Sequence, residues 1–94
     1  MVEWKHVDGK DKGPVKLYAL STCVWCKKTK KLLAELGVAY DYIDVDVIDD
    51  KEGDRIEATE VKKWNKAGTY PTLVINGQKA IINFQEAEIR AALS

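Results

Sequence analysis

The sequence predicts an α/β protein with the element order β-α-β-α-β-β-α, in which four strands form a mixed sheet and three helices pack around it. Three observations support this prediction: an apolar segment at residues 15–20, a helical pattern directly after it at residues 24–36, and an Asn76-Gly77 pair between two apolar segments. A strand–helix–strand unit calls for parallel strands, and a two-residue hairpin turn calls for antiparallel strands. The predicted sheet is therefore mixed.

The strand–helix–strand unit follows from hydrophobic patterning. Residues 15–20 are apolar and rich in β-formers, which is typical of a buried strand. Two hydroxyl residues that can cap a helix precede residues 24–36, where leucines lie on one side of the helix and lysines mostly on the other. Gly37 ends this helix, and residues 39–47 alternate with a period of two, which predicts a second strand.

The next segment is predicted to be a charged connector followed by a helix. Residues 49–54 form the connector, and residues 55–66 form the helix, with Ala58, Val61 and Trp64 at its apolar positions. Gly68 follows as a stop signal for the helix.

The end of the chain is predicted to be a hairpin and a last helix. Asn76-Gly77 is a strong signal for a two-residue turn, so residues 72–75 and 79–82 are the paired strands. Residues 85–93 follow as the helix that closes the domain.

The first residues differ in character from the rest of the chain. Residues 1–14 are polar and contain glycine, and we interpret them as an extension before a domain at residues 15–94. Within the extension, residues 2–7 predict a short strand and Gly13-Pro14 a turn.

Length and composition restrict the function. The chain has 94 residues, which suits one domain, and its 46% hydrophobic and 32% charged residues are typical of a soluble globular protein. Fifteen basic and fifteen acidic residues cancel, so charge gives no reason to expect nucleic acid or a membrane as a partner. The chain lacks an apolar segment of the roughly 20 residues that span a bilayer, and its start lacks a secretory signal. We therefore expect a cytoplasmic protein. We also expect it to be a monomer.

The candidate chemistry lies in the two cysteines of the chain, Cys23 and Cys26, at the point where the first strand passes into the first helix. A helix N-terminus favours an anion, so we expect it to stabilise the thiolate of Cys23, and the thiolate is the nucleophile in disulfide exchange. Cys26 is about one helical turn further on and can reach Cys23. The predicted cycle is attack by Cys23 on a substrate disulfide, followed by attack of Cys26 on the mixed disulfide.

Other interpretations of the cysteine pair stay open. The two residues can be small apolar side chains in a helix, half of a zinc site, or part of a Cys–His catalytic pair. A structural zinc site needs about four ligands, and His6 is the only histidine of the chain. Both the zinc site and the Cys–His pair are disfavoured by this shortage, and we expect no metal site.

Two more features belong to the candidate site. Pro71 opens a strand, where proline cannot donate a ladder hydrogen bond. A trans bond is the default from sequence alone, whereas a cis bond would expose the preceding backbone to an extended substrate. Trp25 lies between the cysteines, and it either projects into solvent beside Cys23 or packs against the following helix.

The chain resembles the glutaredoxin family, which has the thioredoxin fold, over residues 15–94. The resemblance depends on three segments: Leu17-Tyr18-Ala-Leu-Ser-Thr-Cys23-Val-Trp-Cys26-Lys, Gly37-Val-Ala-Tyr, and Gly68-Thr-Tyr-Pro71-Thr-Leu-Val-Ile-Asn-Gly77. It implies that Cys23 is the nucleophile, that Cys26 is the resolving cysteine, and that Pro71 is a cis-proline facing both.

The resemblance also implies a substrate-binding surface. Thr69 and Tyr70 match the threonine and valine of the family's Thr-Val-Pro, whose backbone holds glutathione or a peptide. The predicted substrate-binding residues are Thr22, Val24, Trp25, Thr69, Tyr70, Pro71, Asn83 and Phe84.

The sequence departs from the family pattern where glutathione binds. Leu20 stands in place of the usual lysine, and Ile82-Asn83-Phe84-Gln85 replaces a Gly-Gly segment followed shortly by aspartate. A hydrogen bond to a charged group contributes about 1.5–3 kcal/mol, so two losses predict weak glutathione binding. In this respect the chain is similar to NrdH-type redoxins, although its Cys-Val-Trp-Cys motif also departs from theirs.

The leading hypothesis is a dithiol enzyme that carries electrons to protein disulfides, with no tightly bound cofactor. Its implied partners are a disulfide-containing protein, with ribonucleotide reductase as a candidate, and a thioredoxin-reductase-type enzyme or glutathione as the reductant. A glutathione-dependent glutaredoxin, with glutathione as co-substrate, is the main alternative. Two further alternatives are a carrier of an iron–sulfur cluster held by the first cysteine and glutathione, and a non-catalytic thioredoxin-like interaction domain.

Overall fold

The computed structural model describes residues 4–93, which form a five-stranded mixed sheet in the order β1-β3-β2-β4-β5. The strands are β1 (Lys5–Val7), β2 (Val15–Ala19), β3 (Tyr40–Asp44), β4 (Thr72–Ile75) and β5 (Lys79–Ile82). β2 and β3 are parallel, and the other neighbouring pairs are antiparallel. The predicted mixed sheet and the element order from residue 15 onward are confirmed.

Three continuous helices flank the sheet within the described residues. They are α1 (Val24–Leu36), a second helix in three segments, and α4 (Glu86–Leu93). The second helix consists of α2 (Asp50–Ile56), a π-helical segment (Glu57–Val61) and α3 (Lys62–Trp64), which follow one another without a break. No helix in this part of the chain combines the length and the apolar character needed to cross a membrane.

The sheet has one strand more than predicted, because part of the N-terminal extension joins it. β1 pairs antiparallel with β3, with His6 opposite Asp41 and Val7 opposite Tyr40. This pairing covers the edge of β3 that β2 leaves free, and the His6 ring hydrogen-bonds the Asp41 carboxylate. The predicted strand at residues 2–7 is therefore present from Lys5, while residues 1–3 lie outside the described residues.

The second helix begins earlier than predicted, and the predicted connector at residues 49–54 is mostly helical. The Asp49 side chain accepts a hydrogen bond from the Lys51 N–H and caps α2, and the acidic residues of the first turn suit the helix N-terminus. The helix ends at Trp64 because Asn65 adopts an extended conformation, φ −140° and ψ 98°.

The π-helical segment changes which residues the second helix buries. Ile56 and Val61, five residues apart, are both buried, whereas Ala58 is exposed although it was predicted to be an apolar contact. A π-turn inserts an extra residue into the helix, so the α-helical spacing of the prediction does not hold across it. Strand β3 is also shorter than predicted and ends at Asp44, where the Val47 N–H closes a turn on the Asp44 carbonyl.

The core lies in two layers, one on each face of the sheet. α1 and α4 cover one face, with Leu33 and Ile89 fully buried against strand residues such as Leu17 and Leu73. The second helix covers the other face, where Ile56 and Val61 pack with Tyr18, Ile43, Val45 and Val74. This packing fixes the end of β2, the start of α1 and the start of β4 relative to one another, and these three points form the candidate site.

Candidate active site

The sequence predicts that the hydroxyl residues Ser21 and Thr22 cap α1, but the Ser21 hydroxyl donates to Asp46 and the N-cap residue is Cys23. Its backbone is extended, with φ −82° and ψ 119°, and its Sγ accepts a hydrogen bond from the Cys26 N–H over 3.2 Å. The Cys23 N–H donates to the Leu20 carbonyl over 3.2 Å, which closes the turn after β2. The first turn of α1 contains no acidic residue. A backbone N–H and the positive end of a helix therefore meet at the sulfur of Cys23.

The two cysteines differ in their access to solvent. Cys23 is half-buried, whereas Cys26 is fully buried, and neither forms a disulfide. Burial raises the pKa of Cys26 to about 12, and the hydrogen bond with Cys23 acts in the same direction. A backbone hydrogen bond with Leu20 and the charge of Lys30 oppose these effects. Cys23 is thus the sulfur that a substrate can reach, and Cys26 is a protonated thiol behind it.

The segment before β4 contains the cis Tyr70-Pro71 bond that the family resemblance implied. Pro71 is buried, and its carbonyl accepts a hydrogen bond from the Asn83 N–H over 2.8 Å. The Tyr70 N–H and C=O make no hydrogen bond to other groups of residues 4–93. These two groups are available to pair with an added extended chain.

A buried asparagine holds this segment in place. The Asn65 Nδ2 atom donates to the Thr69 Oγ1 over 2.8 Å, the Thr69 carbonyl over 3.1 Å and the Thr72 Oγ1 over 3.2 Å. The Thr72 hydroxyl also donates to the Thr69 carbonyl over 2.8 Å. Asn65 is only 3% exposed and Thr72 is fully buried, so the hydrogen bond between them is made away from water, whereas those to the exposed Thr69 are part-buried.

Aromatic side chains form a groove on one side of Tyr70. Trp25, Tyr70, Asn83 and Phe84 line an open groove of about 370 Å³. The rings of Trp25 and Phe84 stack with centroids 5.9 Å apart, and the ammonium of Lys28 lies 4.6 Å from the centre of the Trp25 ring. Trp25 is 54% exposed, so one part of its indole faces solvent while another part packs on Phe84.

An acidic groove lies on the other side of Tyr70, with a volume of about 280 Å³. Leu20, Val45, Gly53 and Tyr70 share its lining with the four carboxylates Asp46, Asp50, Asp54 and Glu57. Asp46 accepts hydrogen bonds from the Ser21 N–H over 2.8 Å and from the Ser21 hydroxyl over 2.7 Å, which lower its pKa. The Tyr70 hydroxyl donates to Glu57 over 3.5 Å, and burial raises the pKa of Tyr70 to about 12.

The remaining predicted binding residues are placed as follows. Thr22 and Val24 flank Cys23 and are exposed, Val24 by 62%, but neither lines the aromatic groove. Thr69 is exposed, and its hydroxyl donates to the Asn83 Oδ1 over 3.3 Å, which ties the segment before β4 to the segment after β5. The structure thus brings together Trp25, Tyr70, Asn83 and Phe84, and Thr69 and Pro71 flank Tyr70 in the chain.

His6 takes no part in the cysteine site. Its Nδ1 lies 2.7 Å from the Asp41 carboxylate and its Nε2 lies 3.1 Å from Asp8. These residues line a cavity of about 630 Å³ near the start of β2, at the opposite end of that strand from the cysteines. No group of three or more His, Cys, Asp or Glu residues within residues 4–93 is arranged to hold a metal ion.

Several residues of the site could not be recognised in the sequence. Asn65 was placed inside a helix, and its only sequence signal was its position shortly before Gly68 and Pro71. Asp46 falls inside the strand predicted at residues 39–47, whereas β3 ends at Asp44 and Asp46 lies in the loop after it. The four lysines of α1 were treated together, whereas the ion pair between Lys30 and Asp44 sets one of them apart.

A cysteine pair at the start of a helix, beside a cis-proline, is the arrangement of a thiol–disulfide oxidoreductase of the thioredoxin fold. The glutaredoxin family model matches residues 15–80, and the chain belongs to the glutaredoxin family.

Solved structures and a curated relative agree with this assignment. The chain is 50% identical to a glutaredoxin from Methanosarcina mazei Go1, with a TM-score of 0.87 over 97% of this chain and 87% of that one. It is 45% identical to methanoredoxin from Methanosarcina acetivorans, also with a TM-score of 0.87, over 92% and 90% of the two chains. An uncharacterised glutaredoxin-like 8.6 kDa protein in the rubredoxin operon of Clostridium pasteurianum is 37% identical over 80% of this chain and 91% of its own length.

Proposed function

We propose that this protein transfers electrons to protein disulfides through Cys23 and Cys26 and depends little or not at all on glutathione. The observation that carries the proposal is the asymmetry of the pair: a half-buried Cys23 that caps α1, and a fully buried Cys26 whose N–H contacts the Cys23 sulfur over 3.2 Å. One sulfur is accessible to a substrate, and the other can only act on the first.

In the first step, the Cys23 thiolate attacks a sulfur of the substrate disulfide. A bond forms between the Cys23 Sγ and that sulfur, and the second substrate sulfur leaves with the electron pair of the broken bond. The N–H of Cys26 and the N-terminus of α1 face the reacting sulfur of Cys23 and favour its negative charge. The free N–H and C=O of Tyr70 can hold the substrate backbone as an added strand.

In the second step, Cys26 attacks Cys23 and displaces the reduced product. The protein is left with a Cys23–Cys26 disulfide, which a reductant must restore to the dithiol. A thioredoxin-reductase-type enzyme is the proposed reductant and a disulfide-containing protein is the proposed substrate, with ribonucleotide reductase as a candidate. We place this activity in the cytoplasm and expect the protein to act as a monomer.

The charges near the site support weak glutathione dependence. Leu20, which replaces the lysine of the family, lines a groove with four carboxylates, and these repel the carboxylates of glutathione. On the other side, the Phe84 ring stacks on Trp25 in the segment where the family carries Gly-Gly and aspartate. The same features favour a protein substrate, because an exposed indole and a neighbouring ring offer an apolar contact surface.

The proposal is tested by offering the oxidised protein two electron sources separately: reduced glutathione, and NADPH with a thioredoxin reductase. The free thiols are then trapped and counted by mass spectrometry. We expect only the reductase to restore the dithiol quickly. The Cys26→Ser variant, treated in parallel, is expected to hold a protein substrate as a mixed disulfide on Cys23.

Two results contradict the proposal in different ways. Rapid reduction by glutathione, with a glutathione adduct on Cys23 of the Cys26→Ser variant, would show a glutathione-dependent glutaredoxin. Failure of both sources, with no adduct of any kind on Cys23, would show that the pair is not a carrier of electrons.

A further inference from the structure

The buried side of α1 places a lysine next to the resolving cysteine. Cys26 and Lys30 are four residues apart and therefore lie on the same side of the helix. The Lys30 side chain is 25% exposed, and its Nζ lies 2.9 Å from the Oδ1 of Asp44, which is itself 14% exposed. The other lysines of α1, Lys27, Lys28 and Lys31, are exposed.

Strand β3 holds the ammonium of Lys30 in this position. The Nζ lies 4.2 Å from the centre of the Tyr42 ring, and it pairs with Asp44, the last residue of β3. Asp44 is aligned with Ala19 in the parallel register, and Ala19 is the last residue of β2 before the turn that leads to Cys23. The ion pair therefore lies at the end of the sheet where the cysteines lie.

We propose that Lys30, anchored by Asp44, is a positioning residue for the resolving step, in which its positive charge favours the sulfur of Cys26 as an attacking thiolate. This inference rests on the proposed dithiol function. The charge of Lys30 lowers the pKa of Cys26 against the larger opposing effects of burial and of Cys23. It also helps to lower the pKa of Asp46, so its field reaches the loop beside the site.

The step is balanced as an exchange of one disulfide for another. Cys26 gives its thiol proton to water, and the electron pair left on its Sγ forms a bond to the Cys23 Sγ. The bond between Cys23 and the substrate sulfur breaks. The substrate sulfur leaves with the electron pair of this broken bond and takes up a proton. The difficult part is the first, because burial disfavours the charged form of Cys26.

Titratable groups from several elements face Cys26 and Lys30. They are Cys23 on α1, Tyr42 and Asp44 on β3, Asp46 in the following loop and Tyr70 before β4. Thiol, phenol and carboxyl groups carry no positive charge in either protonation state. Lys30 is therefore the cation of this cluster. A substitution of Lys30 removes a charge that none of these neighbours replaces.

The test is a single-turnover reaction of the reduced protein with an equimolar amount of 2,2′-dithiodipyridine, a neutral disulfide. Cys23 releases one thiopyridone in a first phase, and attack by Cys26 releases the second. In Lys30→Met we expect the second phase to slow by several-fold at pH 7 and its pH profile to move to higher pH, because a raised pKa of Cys26 lowers the thiolate fraction more than it raises the nucleophilicity of the thiolate. The first phase should change less than threefold.

Matched variants separate a loss of charge from a loss of structure. Lys31→Met removes the same charge from the next residue of α1, which is exposed, and should leave both phases unchanged. Lys30→Arg should restore the second phase to within about threefold of the original rate. If Lys30→Met unfolds because Asp44 is left unpaired, the double variant Lys30→Met/Asp44→Asn removes both charges. Its second phase should still be slower than in the unmodified protein, but by less than in Lys30→Met, because the Asp44 carboxylate that opposes the thiolate is also removed.

The outcomes also separate this inference from the proposed function. An unchanged second phase in the double variant, or an equal slowing in Lys31→Met, overturns the role of Lys30 and leaves the dithiol cycle intact. Release of only one thiopyridone per molecule of the unmodified protein overturns the dithiol function itself.

Discussion

The indole of Trp25 stacks on the ring of Phe84, with centroids 5.9 Å apart and ring planes 25° from parallel. Trp25 lies between the two cysteines, and Phe84 lies after the last strand, 59 positions later in the chain. The contact therefore joins the cysteine motif to the segment that, by the family resemblance, departs from the glutathione-binding pattern. Several consequences can be measured.

Replacement of Phe84 by alanine should weaken both the fold and the docking of protein substrates. Phe84 is partly buried and packs against the main core cluster, so we expect a loss of about 2 kcal/mol in the free energy of unfolding. The KM for a disulfide-bonded protein such as insulin should rise several-fold, while the rate with a small neutral disulfide stays the same. Denaturant titration and steady-state kinetics measure the two effects.

Phe84→Leu is the control for this prediction, because it keeps an apolar side chain and removes only the stacking. The free energy of unfolding of Phe84→Leu should fall by about 1 kcal/mol. Its KM for the disulfide-bonded protein should rise less than that of the alanine variant. A KM that stays constant in Phe84→Ala would mean that the groove does not contact the substrate.

Restoring the family's lysine should restore some use of glutathione. In Leu20→Lys, a cation returns to the site, and a charge-assisted hydrogen bond contributes about 1.5–3 kcal/mol. The four carboxylates of the acidic groove compete for the new ammonium, so we expect an increase of about tenfold in the rate of reduction by glutathione, at the lower end of that range. Leu20→Met, which adds length without charge, should give no increase.

The hydrogen bonds of Asn65 predict a large effect on stability. In Asn65→Leu, a buried apolar side chain replaces the donor, and the Thr69 carbonyl keeps only the bond from Thr72. We expect a loss of about 2–3 kcal/mol in the free energy of unfolding and a lower rate with protein substrates, since the segment before Pro71 loses its support. Exposed Lys66→Ala, one residue further on, should change stability by less than about 0.5 kcal/mol.

The element order and the cysteine pair could be predicted from the sequence, because both depend on local signals. Each signal is formed by residues that are close together in the sequence. The signals are the alternating apolar residues of the strands, the helix pattern after Cys23 and the Asn76-Gly77 turn. The π-helical segment could not be predicted, since Ala58 fits an α-helical apolar face and only the tertiary packing of Ile56 and Val61 selects the longer spacing.

The rest of the site depends on contacts between distant residues. Three contacts form only when the sheet has assembled. They are the hydrogen bond from Asn65 to Thr72, the ion pair between Lys30 and Asp44, and the pairing of β1 with β3. The polar side chains involved are common on protein surfaces, so their sequence positions alone give no sign of these roles. The cis state of the Tyr70-Pro71 bond followed from the family resemblance, against the trans default.

The difference in burial between the cysteines predicts selective alkylation. With iodoacetamide at neutral pH, Cys23 of the reduced protein should be labelled and Cys26 should not, because Cys26 is fully buried and its pKa is raised to about 12. Labelling of Cys26 in the folded protein should stay far below that of Cys23 as the pH is raised, and peptide mapping by mass spectrometry distinguishes the two sites. Denatured protein serves as the control, in which both cysteines react; equal labelling of the native protein would contradict the placement of Cys26.

The contacts of His6 predict a pH-dependent attachment of β1. The hydrogen bond with Asp41, supported by the charges of Asp41 and Asp8, raises the pKa of His6 above its ordinary value of 6.5. The protonated ring therefore binds β1 to β3 most strongly below about pH 6.5, and this contribution is lost as the pH rises through the raised pKa. Hydrogen exchange followed by NMR should show the amides between β1 and β3 losing protection relative to those between β2 and β4 over that range. His6→Gln should remove this pH dependence, and its persistence in that variant would assign it to another group.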